Sequence, residues 1–162
     1  MIRELIALDP SSKVWIYQAD RTISYDELDE MRPLLHDFLQ EWTSHNQALS
    51  CYGNIFHQRF LAIFVDETAA SSASGCSIDK SVKFVEYLGK HFQIDFFDRL
   101  HYTYLHDEEV RTIPHIKMKA AYIEGQITDE TLFFDHLVSN KEAFLKRWLV
   151  PLSSSWHARF VK

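Results

Sequence analysis

Phe60-Leu61-Ala62-Ile63-Phe64-Val65-Asp66-Glu67 is a run of six apolar residues without alternation, closed by two carboxylates. A strand with one wet face places a polar residue at every second position. An unbroken run of this length therefore reads as a strand covered on both faces, in the middle of a sheet. Lys13-Val14-Trp15-Ile16-Tyr17-Gln18 reads the same way. Ala48-Leu49-Ser50-Cys51-Tyr52-Gly53-Asn54-Ile55-Phe56 is interrupted by Gly53 and Asn54 and reads as an edge or bulged strand.

Helical periodicity fills the intervals. Ser24 and Glu27 form a capping-box pair, followed by Tyr25, Leu28, Met31, Leu35, Phe38 or Leu39, and Trp42 on one face. Pro33 inside this helix predicts a kink or break just before it. After the third strand, Ser77 or Asp79 is the expected cap of a second helix with Ile78, Val82, Val85, Leu88 and Phe92 on one face. Residues 94–97 and 100–105 read as extended.

The order β-α-β-β-α-β is that of a ferredoxin-like split βαβ core with an antiparallel sheet, its first and third strands central. The rest reads as a helix over 114–124 ended by Gly125, a strand near 131–134, and a helix starting at the Ser139/Glu142 box and stopped by Pro151. Trp156 and Phe160 in the tail are expected to dock back. The fold class is α+β, one domain over 1–162, with a core at about 13–105 and a helical C-terminal extension at about 106–162.

Composition sets the outer bounds. At 162 residues, 46% hydrophobic and 25% charged, the chain is large enough for a core without metal or disulfide staples. A net charge of −6 without a Lys/Arg cluster argues against nucleic acid. With all nine His protonated the charge becomes +3, so solubility and weak association respond to acid. No run approaches the ~20 apolar residues of a membrane span, and Cys51 and Cys76 give no disulfide framework, so a cytoplasmic protein is expected. There is no H-E-x-x-H and no paired C-x-x-C, hence no expected metal. The absence of G-x-x-x-x-G-K-[ST] excludes a P-loop, and no cofactor is expected.

Chemistry concentrates where the third strand gives way to Ser74-Gly75-Cys76-Ser77-Ile78-Asp79-Lys80-Ser81. In one reading, backbone N–H groups at Gly75, Cys76 and Ser77 and the positive helix end hold a small anionic molecule. Ser74 and Ser77 then donate hydroxyls, with Asp79 and Glu67 at the margin. In the other, Gly75 supplies a tight turn and the Ser and Asp residues only cap the helix. The predicted topology also gathers His45, Asp66 and Cys76 at one sheet edge, within about 12 Å between Cα atoms. A thiolate at Cys76, with His45 as base and Asp66 orienting it, is the catalytic alternative. The third is a protein-interaction or structural module, meeting a protein partner or forming a homo-oligomer through aromatic surface. Its candidate contacts are the Gly53-Asn54 edge and the Trp156 tail.

Trp15-Ile16-Tyr17-Gln18, Val65-Asp66-Glu67, Ser74-Gly75-Cys76-Ser77-Ile78-Asp79-Lys80-Ser81, Asp98-Arg99-Leu100 and Ser155-Trp156-His157 resemble an uncharacterised family of small bacterial proteins often labelled "ABC transporter ATPase". The resemblance spans most of the chain. It implies membership and no particular activity.

Overall fold

The structure, a computed structural model, describes residues 1–44, 46–68 and 73–162. The chain is α+β and divides into two compact units. One comprises Met1–Asp98 with Asn140–Glu142, the other Arg99–Ser139 with Ala143–Lys162.

In the first unit, Lys13–Gln18 forms β1, Tyr25–Glu41 α1, and Thr43–Ser44 and Gln47–Ala48 the short pair β2 and β3. Cys51–Phe56 forms β4, Phe60–Val65 β5 and Gly75–Phe92 α2. The main sheet has the order β1-β5-β4, antiparallel throughout, with Lys13 and Cys51 both opposite Val65. All six residues of β5 are fully buried. Leu61, Ile63 and Val65 share a core with Leu28, Met31, Leu35 and Leu39 of α1 and Val85, Leu88 and Phe92 of α2.

The ferredoxin-like arrangement is not formed, and β1 is an edge strand, not a central one. Its residues 15–17 are only half-buried. Among the described residues no fourth strand pairs beside it, and only isolated bridges join Gln18 to Phe97 and Lys13 to Asn140. The cause is local. Gln93 ends α2 in the left-handed region at φ 56°. The Asp95 carboxylate then accepts the Phe97 amide (2.8 Å), while Asp20 and Asp95 bond through Asp20 N–H to Asp95 O (2.9 Å) and Asp95 N–H to Asp20 Oδ1 (3.0 Å). An aspartate that closes its own turn removes an amide that a ladder needs.

Pro33 does not break α1, which runs unbroken over its 17 residues. The start of α1 is as read: Ser24 and Glu27 make a full capping box. Arg21 clamps the Glu27 carboxylate at 2.7 and 2.9 Å, and that clamp, helped by the Ser24 amide, holds Glu27 at about 2. The β4–β5 hairpin turns at His57 and Gln58, both at positive φ (54° and 53°), and is pinned by reciprocal bonds with Ile23. The outer edge of β4 is partly spent. Cys51 bonds Met1 O and the Arg3 amide, and the Ile55 amide bonds the Asn54 side chain at 2.8 Å.

In the second unit His101–His106 forms β6, Glu109–Pro114 β7, Met118–Ile123 α3 and Leu132–Phe134 β8. Lys141–Arg147 forms α4, whose first two residues are grouped with the first unit, and Leu149–Pro151 forms β9. The antiparallel sheet has the order β7-β6-β8-β9. Its core joins Tyr104, Ile113, Met118, Ala121, Ile127, Phe133, Leu152 and Val161. The segment read as the last strand of a single core, residues 100–105, thus belongs to a separate sheet. No helix among the described residues is long and apolar enough to cross a membrane.

Gly89 is the position where this packing leaves no room. A Cβ there meets the Ile94 carbonyl oxygen at 2.6 Å, whereas one at Gly75 meets nothing within 4 Å. Gly89→Ala is expected to cost about 1–3 kcal/mol, a Tm drop of about 2–12 °C for a chain of this size, and Gly75→Ala to leave Tm unchanged or higher. Thermal unfolding of the two variants checks the contrast.

Candidate functional site

An α-helix begins with four N–H groups that lack intrahelical acceptors. In α2 two of the four are taken by a reciprocal cap. The Ser77 amide donates to Ser74 Oγ (3.2 Å) and the Ser74 amide to Ser77 Oγ (2.7 Å). The cap is therefore Ser74, not Ser77 or Asp79, and the helix starts at Gly75. Gly75 is its first residue and supplies no left-handed turn. The Ser77 hydroxyl donates to Ser74 O at 2.9 Å, so its proton is committed within the cap. The amides of Gly75 and Cys76 remain, with no acceptor among the described residues. Both residues are exposed, and the first turn carries no acidic side chain. Asp79 is exposed one turn further on.

Sequence patterning missed how this turn is held. The buried stripe of α2 is Ser77, Ser81, Val85, Leu88 and Phe92, with Ile78 and Val82 only half-buried. Two serines on an apolar face escape a hydrophobic periodicity. They bring the helix backbone close to its neighbours. The buried Trp42 indole N–H donates to Ser77 O at 2.8 Å, and Ser81 Oγ donates to Ile78 O at 2.6 Å. Trp42 O in turn accepts the Leu49 amide, and Ser50 O the Asp66 amide. A chain of bonds thus gathers the end of α1, the approach to β4 and the end of β5 near the start of α2. The Ser44 hydroxyl, on β2, is buried without a bonding partner among the described residues. A lone hydroxyl leaves no pattern in sequence.

The carboxylates of the region serve structure. Asp66, 8% exposed, accepts from the Asp9 amide (3.2 Å) and from the Thr68 amide and hydroxyl (2.9 and 2.6 Å). Burial alone raises its pKa, but the Thr68 and Asp9 bonds outweigh it and hold the group ionised below the ordinary aspartate value. Glu67 pairs with Lys13 at 3.3 Å on the surface. His45, the expected base, lies outside the described residues. Among the described residues no group of three or more His, Cys, Asp or Glu is arranged to hold a metal ion.

The two thiols differ. Cys51 is buried, with its Sγ facing Leu39 O at 3.5 Å, and burial pushes its pKa up to about 11. Cys76 is exposed in the first turn of α2.

The second unit offers a Ser, a His and an Asp in proximity, but not as a catalytic triad. The Ser155 hydroxyl donates to Leu152 O (3.1 Å) while accepting the His157 amide (3.1 Å), so it caps its own turn. Asp135 spends its two oxygens on the amides of Leu137 (3.1 Å) and Trp156 (2.9 Å). The Trp156 ring packs edge-on to Tyr102 and Phe160.

No protein-family model, curated protein or solved structure matches this chain. The thiol contrast is directly measurable. Alkylation of the folded protein near neutral pH is expected to modify Cys76 at least tenfold faster than Cys51, because the thiolate is the nucleophile and Cys51 is both buried and protonated. Equal, slow labelling of both thiols contradicts the exposure described for Cys76.

Proposed function

We propose that this chain is a cytoplasmic small-anion-binding domain whose site is the first turn of α2. One observation carries the reading: the cap uses the Ser74 and Ser77 amides, and those of the exposed Gly75 and Cys76 have no acceptor among the described residues and no carboxylate in the same turn. A helix start contributes about 0.3–1 kcal/mol to an anion, and each charge-assisted bond about 1.5–3 kcal/mol. Binding of a simple anion is thus on the order of millimolar, and tighter binding needs further contacts. Ser74 shapes the turn, Ser77 anchors it, and Asp79 and Glu67 oppose negative charge nearby.

The rival interaction-module reading loses support at both of its proposed contacts, since the β4 edge is partly spent by residues 1–3 and Asn54, and the Trp156 tail packs within its own unit. A thiol-dependent enzyme keeps one supporting fact, the exposed Cys76 at a helix start, but Asp66 is committed to Asp9 and Thr68.

Gly75→Pro separates a site from a mere cap. Proline is favoured at the first helical position, the preceding Ser74 is already extended, and nothing crowds Gly75, so the fold is retained while one of the two free amides is removed. In a thermal-shift screen of phosphates, nucleotides and carboxylates, the wild type is expected to be stabilised by at least one anion. Asp79→Asn should gain affinity for sulfate, and Gly75→Pro should lose the anion response at unchanged or higher Tm. If no anion stabilises the wild type and Asp79→Asn gains nothing, the turn is only a cap and the interaction-module reading takes its place.

A further inference from the structure

The geometry points to the C-terminal segment from Ser155 onward being a proton-operated latch, closed over the second sheet only while the His157 ring is neutral. His157 is 3% exposed and lies in an aromatic nest: Tyr102 of β6 at 4.6 Å, Phe133 of β8 at 5.1 Å and Trp156 at 5.4 Å between ring centroids. The segment is otherwise held by Asp135 Oδ2, which accepts the Trp156 amide, by Phe160 against Tyr102, and by the buried Val161.

Among the described residues a charge on this ring meets no uncommitted carboxylate. Asp135 is the carboxylate that acts on it, and both Asp135 oxygens already accept backbone amides. The other titratable neighbours are of the wrong kind. Tyr102 is a neutral phenol, and Arg159, stacked over Trp156 at 5.1 Å, is a cation. His136 also interacts with His157 electrostatically, and its Nδ1 accepts the Trp148 indole N–H at 3.1 Å, a bond that exists only while that nitrogen is unprotonated. The Ser155 hydroxyl, 3.3 Å from His157 Nδ1, is occupied by its own cap.

Burial accordingly lowers the pKa of His157 to about 4, against a weaker opposing pull from Asp135, and burial with His157 nearby lowers His136 to about 4, although part of His136 reaches solvent. The sign follows from linkage. A base whose pKa is depressed in the closed form and ordinary in the open form binds protons preferentially when open. Closure is at full strength above about pH 6.5, weakens as pH falls, and stops weakening near the closed-state value. For His157 alone the open fraction rises about 20–30-fold between pH 7 and pH 5.

Hydrogen–deuterium exchange of the full chain, corrected for the intrinsic pH dependence of exchange, reads this out segment by segment. From pH 7 to pH 5 residues 155–162 should lose protection by about 20-fold or more while β6 and β8 keep theirs. In His157→Phe, which retains a ring that takes no proton, that loss should fall to about threefold or less. The latch is overturned if the tail stays as protected at pH 5 as at pH 7, or if tail and sheet lose protection together. It is equally overturned if a folded His157→Phe keeps the wild-type pH response. Should that variant fail to fold, the wild-type exchange profile decides alone.

Discussion

The first unit is organised by the burial of β5 on both faces. A strand of six apolar residues with no exposed surface must be paired on both sides and covered above and below, and it sets the position of each element that meets it. β1 and β4 pair with it in matched registers, and α1 and α2 bury their apolar stripes against Leu61, Ile63 and Val65. Where β5 ends the side chains change character at once, at the buried Asp66 and the half-buried Glu67.

The polar groups beyond that boundary show how little of a polar cluster is left for a ligand once the backbone has been satisfied. Asp66 is filled by Asp9 and Thr68, Glu67 by Lys13, and the two serine hydroxyls by each other's amides. Among the described residues what is left is two backbone amides, in a turn that the Trp42 indole bonds at Ser77 O. The anion-recognition reading proposed above rests on those amides, whereas Asp66 and Glu67 beside them are engaged in structural bonds. The same logic disposes of the serine, histidine and aspartate in the second unit, where every group but the imidazole is engaged in capping.

The sequence made the strands and helices of the first unit legible because burial writes itself as period. The unbroken run at 60–65 and the capping box at Ser24 and Glu27 each have one physical reading, and both are formed. Two features were not legible. The run at 13–18 looks like that at 60–65, yet β1 is an edge strand, because the number of neighbours depends on what the chain does some eighty residues later, at Gln93 and Asp95. The stripe of α2 contains Ser77 and Ser81, which are buried for their small size and so invisible to a hydrophobic count. The candidate site was singled out by its composition, with the amides of residues 75–77 as its proposed donors, but which of those amides the cap consumes is not displayed in sequence. Its cap was misplaced by three residues or more for the same reason: Ser74, Ser77 and Asp79 are equivalent as letters and differ only in which amide each one meets.

The proposal is that the Gly75 and Cys76 amides, which have no acceptor among the described residues, bind an anion. Titration of the ¹⁵N-labelled chain with inorganic phosphate, followed by amide chemical shifts at constant pH and ionic strength, tests it most directly. The account predicts saturable shifts largest at Gly75 and Cys76, with the Ser74 and Ser77 amides moving less because they are already bonded. Uniform, non-saturating shifts across the chain, or a saturable response centred elsewhere with Gly75 and Cys76 unmoved, would contradict it.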